Sequence, residues 1–390
     1  MSAVMPTYAP SNIAFESGNG VYLFSDNGKK YLDFGSGIAV TSVGHSHPKL
    51  VKAITDQASK VLHYSNLYKI PGQERLAQRL VDHSFASSLF SCNSGAEAVE
   101  CGIKVVRKYH SENGNPKRYK IISCTESFHG RTIATLSAAQ NGKHMNGFLP
   151  MLEGFDQATF GNAKNVTKLI TEETAAILVE PIQGEGGINT ADTKYFRDLR
   201  NIADDYGILL FMDEVQTGIG RTGKLFAHQW FDIKPDVIAI AKGLGGGFPI
   251  GGCLANKRVS AVMSPGSHGS TYGGNPLASA AANAVLDIIL EDGFMDHVQV
   301  TGSYLQSQLT LIGEKYDFLG KVKGQGLLIG IQCEPAITNM DIVHLAEKNG
   351  LLLVPAGNNV IRVIPPLIVA QKEIDEALTI FDHVCDSLKN

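Results

Sequence analysis

Gly207-Ile208-Leu209-Leu210-Phe211-Met212-Asp213 is apolar without a break until it ends on an acid. An unbroken apolar run with no polar face suits a strand covered on both sides, as in a parallel sheet. Two similar stretches flank it, Ala175 to Glu180 and Asp236 to Ala241. The three end at 180, 213 and 241, in steps of 33 and 28 residues. A strand–helix–strand unit takes roughly 30. Tyr119 to Cys124 reads as a further strand. Residues 61–280 are therefore expected to form an α/β domain on a largely parallel sheet.

The ends of the chain read differently. Gln325–Cys333, Gly350–Pro355 and Asn359–Ile364 are short strands, with helical patterns over Asp341–Lys348 and Gln371–Leu388. Residues 281–390 are expected to form a smaller α+β domain. Near the start, Gly20–Phe24 and Lys29–Phe34 flank Ser25-Asp26-Asn27-Gly28, a hairpin signal. Residues 1–60 hold little core of their own and are expected to pack with the small domain.

Of the 390 residues, 44% are hydrophobic and 18% charged, the balance of a globular chain with a large core. Disorder and a coiled coil are excluded. The net charge of −4 gives no basic footprint for nucleic acid. No apolar run reaches the ~18–20 residues of a membrane span, and Met1–Gly20 lacks the basic start and apolar stretch of a signal peptide. The six cysteines show no CxxC spacing, as expected of free thiols in a cytoplasmic protein. Glycine, at 41 residues, exceeds the roughly 7% average.

Ligands of open α/β sheets bind outside the carboxyl ends of the strands. Here those ends carry Glu180 and Glu185, Asp213, and Lys242. Lys242 precedes Gly243-Leu244-Gly245-Gly246-Gly247. It is either a surface lysine before a flexible loop or a desolvated amine able to form a Schiff base. A strand-end Asp beside it favours the second reading, because pyridoxal phosphate needs both a lysine and a carboxylate at its ring nitrogen. Asn93-Ser94-Gly95-Ala96-Glu97 supplies a phosphate site: Ser94 and Glu97 form a capping box, and Gly95 and Ala96 leave the first helix amides open. In Ser127-Phe128-His129-Gly130-Arg131-Thr132, Phe128 is placed to cover a flat ring and Arg131 to grip a carboxylate. His45 and His47 lack a third ligand and are read as structural, so no metal is expected. Gly218-Ile219-Gly220-Arg221-Thr222-Gly223 matches GxGxxG, but no acid closes the next strand as a dinucleotide site requires. Read as a P-loop, it puts Leu225 where Ser or Thr must ligate magnesium.

Taken together, these stretches resemble the class III pyridoxal-phosphate aminotransferases of fold type I, essentially end to end. They run from Tyr31–Phe34 through Ser36–Val40 to Gly44-His45-Ser46-His47-Pro48, then Asn93–Glu97, Phe128–Thr132, Glu180–Gly187, Asp213–Thr217, Ala241–Gly252 and His268–Pro276. Within the family the nearest likeness is to members acting on N2-acetyl-L-ornithine. The resemblance implies pyridoxal 5'-phosphate as cofactor, amino-acid and 2-oxoacid substrates, and a homodimer with active sites at its interface.

The resemblance also implies roles. Lys242 is the Schiff-base lysine and proton shuttle, Asp213 pairs with the pyridinium nitrogen, and Gln216 meets the ring oxygen. Ser94, Gly95 and Ala96 hold the phosphate, Phe128 stacks on the ring, and Glu214 and Val215 belong to the same wall. Thr271 reaches the phosphate of the neighbouring subunit, and Ser270 touches substrate. Arg131 takes the carboxylate far from the reacting amine, and Arg362 the α-carboxylate of glutamate. Glu185 is expected to cover Arg362 when the substrate has no carboxylate there, since a desolvated, unpaired guanidinium is costly. Val43, Val99 and Tyr272 depart from common family residues without touching these roles. Ile38 stands where ornithine aminotransferases usually carry Tyr. Alternatives left open are another ω-amine (4-aminobutyrate, ornithine, N-succinyl-diaminopimelate), another reaction type such as an aminomutase, and a non-catalytic nucleotide binder.

Overall fold

The central sheet has seven strands, in the order Ser88–Cys92, Gly251–Ala255, Val237–Ile240, Leu209–Asp213, Thr174–Val179, Lys120–Cys124 and Phe155–Ala158. Only Gly251–Ala255 runs against the rest. The structure, a computed structural model, describes residues 3–389. The three apolar runs that the sequence marks as doubly covered strands are neighbours, paired parallel. Asp213 lies level with Ala239, so Lys242 emerges three residues beyond that level on the adjoining strand.

Helices cover both faces of this sheet. Gly95–Glu112 sends Val99, Ile103 and Val106 into the buried layer on one face. Thr193–Tyr206 packs Phe196 and Leu199 on the other. The latter is capped by Asp192 and stopped by Gly207 in the left-handed region, so the predicted strand start at Gly207 is a helix end. Two strands escape the sequence reading for a shared reason. Ser88–Cys92 and Phe155–Ala158 are the sheet's edges and are only partly buried, so they lack the long apolar signature of a central strand.

The carboxyl-terminal sheet is antiparallel, in the order Leu319–Gln325, Leu328–Cys333, Val360–Val363 and Val354–Ala356. The single strand expected over Gln325–Cys333 is thus a hairpin partner beginning at Leu328, with its turn at Gly326-Leu327. Strands Phe15–Asn19, Tyr22–Ser25 and Lys30–Asp33 form a separate sheet, joined in parallel by Leu351-Leu352. Val21, Leu32 and Phe34 share a core with Leu305, Ile361 and Phe381 of the carboxyl-terminal part.

The packing divides the amino-terminal segment. Val43 and Leu50 lie in the core of the large sheet, where helix Pro48–Ala58 packs on helix Pro276–Ile289. We propose that the large domain takes in residues 40–60 and runs to about Leu290, with residues 15–34 completing the small domain. No helix among the described residues is long and apolar enough to cross a membrane.

Gly102 faces the centre of the sheet, where a Cβ would overlap the Phe211 ring. Gly102→Ala is expected to destabilise the fold by about 1–3 kcal/mol through overpacking. Denaturant titration reads this directly; an unchanged midpoint would show that the helix can shift at no cost.

Candidate active site

Five strand ends meet at one edge of the large sheet and enclose a cavity of about 420 Å³. Its walls include Ser94, Gly95, Ala96, Phe128, Arg131, Glu185, Asp213, Val215, Gln216 and Lys242. The phosphate-type corner is the start of helix Gly95–Glu112. Ser94 Oγ accepts from the Glu97 amide at 3.2 Å, and the Ser94 carbonyl accepts from Ala98. The Gly95 and Ala96 amides lie in the first turn, where no intrahelical acceptor exists. A Cβ at Gly95 would stand 2.7 Å from Val215 Cγ1, so only glycine lets the helix end and the strand end approach this closely. The Glu97 carboxylate turns back to the Asn93 amide at 2.7 Å and braces the corner.

Opposite stands Asp213, buried. One oxygen accepts from the Val215 amide at 3.0 Å; the other meets His129 Nδ1 at 2.8 Å. Burial opposes charge on His129, but the hydrogen bond and the negative charges of Asp213 and Glu180 win, and its pKa is raised. The imidazole behind the carboxylate fixes the orientation of Asp213. Glu180 accepts from the Phe128 amide at 2.9 Å, and burial pushes its carboxyl up.

Lys242 opens a short 3-10 turn at φ +44, an uncommon conformation for a residue with a side chain. Burial and the nearby Arg362 charge act against its proton; Glu185, Asp213 and Glu180 act for it. Burial dominates, and the pKa falls to about 8.

Arg362, 1% exposed, arrives from the carboxyl-terminal sheet. Its Nη1 and Nη2 donate to the two oxygens of Glu185 at 2.7 and 3.1 Å. Nη1 also donates to Gln216 Oε1 at 3.3 Å and Nη2 to the Pro355 carbonyl at 3.0 Å. Glu185 remains about one-third exposed, so the acid is the member of the pair with room to leave.

Arg131 is exposed at the mouth. Its guanidinium lies 5.8 Å from the Phe128 ring centroid and contacts His144 Nε2 at 3.1 Å. Burial, Arg131 and Lys143 lower the His144 pKa, which leaves that nitrogen free to accept.

Three predicted residues lie elsewhere. Glu214 turns away from the cavity, where it accepts from the Ala227 and His228 amides and meets His228 Nδ1. Adjacent residues leaving a strand point to opposite sides, so Asp213 and Glu214 cannot share a wall. Ser270 and Thr271 line a second depression with Glu97 and Glu100. There Ser270 Oγ accepts from Asn93 and Gly273. The sequence reading assigned no task to His129, although it sits inside the quoted Phe128–Thr132 stretch. Nor did it use Asn93.

A family profile described as "Aminotransferase class-III" matches residues 4–385. The chain belongs to the class III aminotransferases. The cofactor of that family is pyridoxal 5'-phosphate, and the open amides, the buried carboxyl of Asp213, the Phe128 ring and the low-pKa Lys242 suit it. An "Acetylornithine aminotransferase" of Mesorhizobium japonicum is 52% identical, over 97% of this chain and 94% of its own. One from Aquifex aeolicus is 46% identical, over 98% and 100%. Among solved structures, the ornithine aminotransferase of Toxoplasma gondii is 30% identical with a TM-score of 0.96, over 99% of this chain and 93% of that one. The N-acetylornithine aminotransferase of Stenotrophomonas maltophilia is 34% identical with a TM-score of 0.85, over 97% and 96%.

With a pKa near 8, the Lys242 amine loses its proton well below the ordinary lysine range. Reaction of the cofactor-free class III enzyme with pyridoxal 5'-phosphate should accelerate about tenfold per pH unit up to about pH 8 and then level off. Stopped-flow absorbance between pH 6 and 10 checks this. An inflection at the ordinary lysine value would mean that the amine is solvated.

Proposed function

We propose that this class III aminotransferase moves the δ-amino group of N2-acetyl-L-ornithine to 2-oxoglutarate, giving N-acetyl-L-glutamate 5-semialdehyde and L-glutamate, as in arginine biosynthesis. The observation that carries the reading is the meeting of Lys242, Asp213 and Glu185 around one cavity, with Arg362 paired to Glu185. Pyridoxal 5'-phosphate, when bound, supplies an electron sink for the carbon that carries the amine.

The chain's own groups do the rest. The Gly95 and Ala96 amides and Ser94 would hold the phosphate, Phe128 would pack on the ring, and Gln216 would meet its oxygen. Asp213, backed by His129, holds the proton on the ring nitrogen. Lys242 Nζ takes the proton from the amine-bearing carbon and returns it in the reverse direction, which a pKa near 8 allows at neutral pH.

The two carboxylates of glutamate require two cations, Arg362 near the reacting carbon and Arg131 farther out. N2-acetyl-L-ornithine brings a carboxylate only to Arg131, so Glu185 stays on Arg362. Ile38, 41% exposed, offers no hydroxyl where ornithine aminotransferases usually carry Tyr, which argues against free ornithine. Thr271 is exposed and outside the cavity of its own chain. We assign it to the phosphate site of a second copy, so the working unit is a cytoplasmic homodimer.

Steady-state kinetics with acetylornithine, ornithine, 4-aminobutyrate and N-succinyl-diaminopimelate should give acetylornithine the highest kcat/KM. A higher value for another amine would move the substrate and leave the class. Lys242→Ala should keep its fold and lose at least about 10²–10⁴-fold in turnover, the range of general acid–base catalysis. Retained turnover would remove Lys242 from the chemistry.

A further inference from the structure

Arg221 belongs to the glycine-rich turn Gly218–Gly223 and has no task in the chemistry above. It is 2% exposed. Its Nη1 donates to the Leu327 carbonyl at 3.1 Å and to the Pro365 carbonyl at 2.5 Å. Its Nη2 is buried and has no hydrogen-bond partner among the described residues. Neither contact is with a carboxylate. Burial pushes its pKa down to about 9, which still leaves it charged at neutral pH. A buried cation without a counter-ion is costly, and a neutral side chain would fill the space at lower cost. The charge therefore calls for a purpose beyond packing.

The two carbonyls indicate one. Leu327 sits in the turn between two strands of the carboxyl-terminal sheet, and Pro365 follows Arg362 by three residues. The segment after Arg362 is tied at each step to the rest of the site. Ser36 Oγ donates to the Ile364 carbonyl at 2.8 Å, and the Ile364 amide to Phe34. The Leu367 amide donates to the Ser42 carbonyl at 2.7 Å, and Ser42 Oγ to the Gly243 carbonyl at 2.8 Å. Gly243 is the neighbour of Lys242. A chain of hydrogen bonds thus links the segment after Arg362, through Ser42, to the turn that carries the reactive amine, and Arg221 holds that segment at Pro365.

We propose that Arg221 is a positioning residue for Arg362: by holding the Pro365 and Leu327 carbonyls it sets where the guanidinium stands relative to Lys242, and so sets affinity for a carboxylate at the reacting carbon. One nitrogen, Nη1, bridges the two carbonyls from the end of a rigid planar group; a lysine amine on its flexible stem would not fix their positions in the same way. The proposal rests on Arg362 as the carboxylate-binding group.

The test uses Arg221→Met, Arg221→Lys and, as control, Arg362→Gln, all as holoenzymes. Three quantities are read: the apparent dissociation constant in the glutamate half-reaction, that in the acetylornithine half-reaction, and calorimetric binding of glutarate, an unreactive dicarboxylate. Both Arg221 variants should weaken glutamate and glutarate by about 10- to 100-fold, the effect of misplacing a binding group by about 1 Å. Acetylornithine, which does not use Arg362, should bind as in the parent protein. Equal weakening of both amino donors, or none, overturns the proposal. If Arg362→Gln also leaves glutamate and glutarate unaffected, the underlying reading of Arg362 fails. If Arg362→Gln weakens them and the Arg221 variants do not, only the role of Arg221 falls. Should Arg221→Met fail to fold, Arg221→Lys, which keeps the charge, decides; failure of both makes Arg221 purely structural and equally overturns the proposal.

Discussion

Arg362 is a full positive charge brought out of water, and the site is arranged around its need for a partner. A desolvated guanidinium left alone would be strongly unfavourable, whereas one held bidentately by a carboxylate is tolerated. Glu185 supplies that carboxylate from the turn between the short strands Ile182–Gln183 and Asn189–Thr190, and Arg362 comes from Val360–Val363. This ion pair therefore joins the carboxyl-terminal sheet to the large-sheet side of the cavity, close to Lys242. The burial is what makes the arrangement selective. In water the pair would add little; in the proposed reading, a substrate carboxylate at Arg362 takes the place of Glu185.

The same cavity wall solves a second electrostatic problem. Asp213 is buried and needs partners for both its oxygens, and Lys242 must be able to lose its proton. The structure separates them by environment. Asp213 has His129 and a backbone amide at its oxygens. Lys242 faces desolvation and the Arg362 charge. A lysine whose pKa is lowered by burial beside a buried, hydrogen-bonded carboxylate is a pattern found where acid–base work is done.

Much of this was legible in the sequence, and the rest was not for identifiable reasons. Strands Thr174–Val179, Leu209–Asp213 and Val237–Ile240 announce themselves because both faces are buried. Gly251–Ala255 was hidden in a glycine-rich stretch because small residues there make room for the Ser94 carbonyl. The strand-end acids pointed to the right edge of the sheet, yet alternation sends Glu214 to the far side, where His228 holds it. Spacing alone could not show the tie between Asp213 and His129, residues 84 apart in the chain. Gly218–Gly223, discarded as a nucleotide loop, is a turn that lowers Arg221 into the space between domains. Ser270 and Thr271 lie outside the cavity of a single chain, and the work proposed for Thr271 needs a second one.

The most direct measurement of whether the Glu185–Arg362 pair governs the site is the ratio of the two half-reactions in Glu185→Ala. Without its acid, Arg362 is left uncovered for the amine substrate and open to the carboxylate of glutamate. The specificity ratio should shift toward glutamate by about tenfold or more, in line with ~1.4 kcal/mol per decade. A ratio equal to that of the parent protein would mean that Glu185 does not gate Arg362, and the central claim would fall.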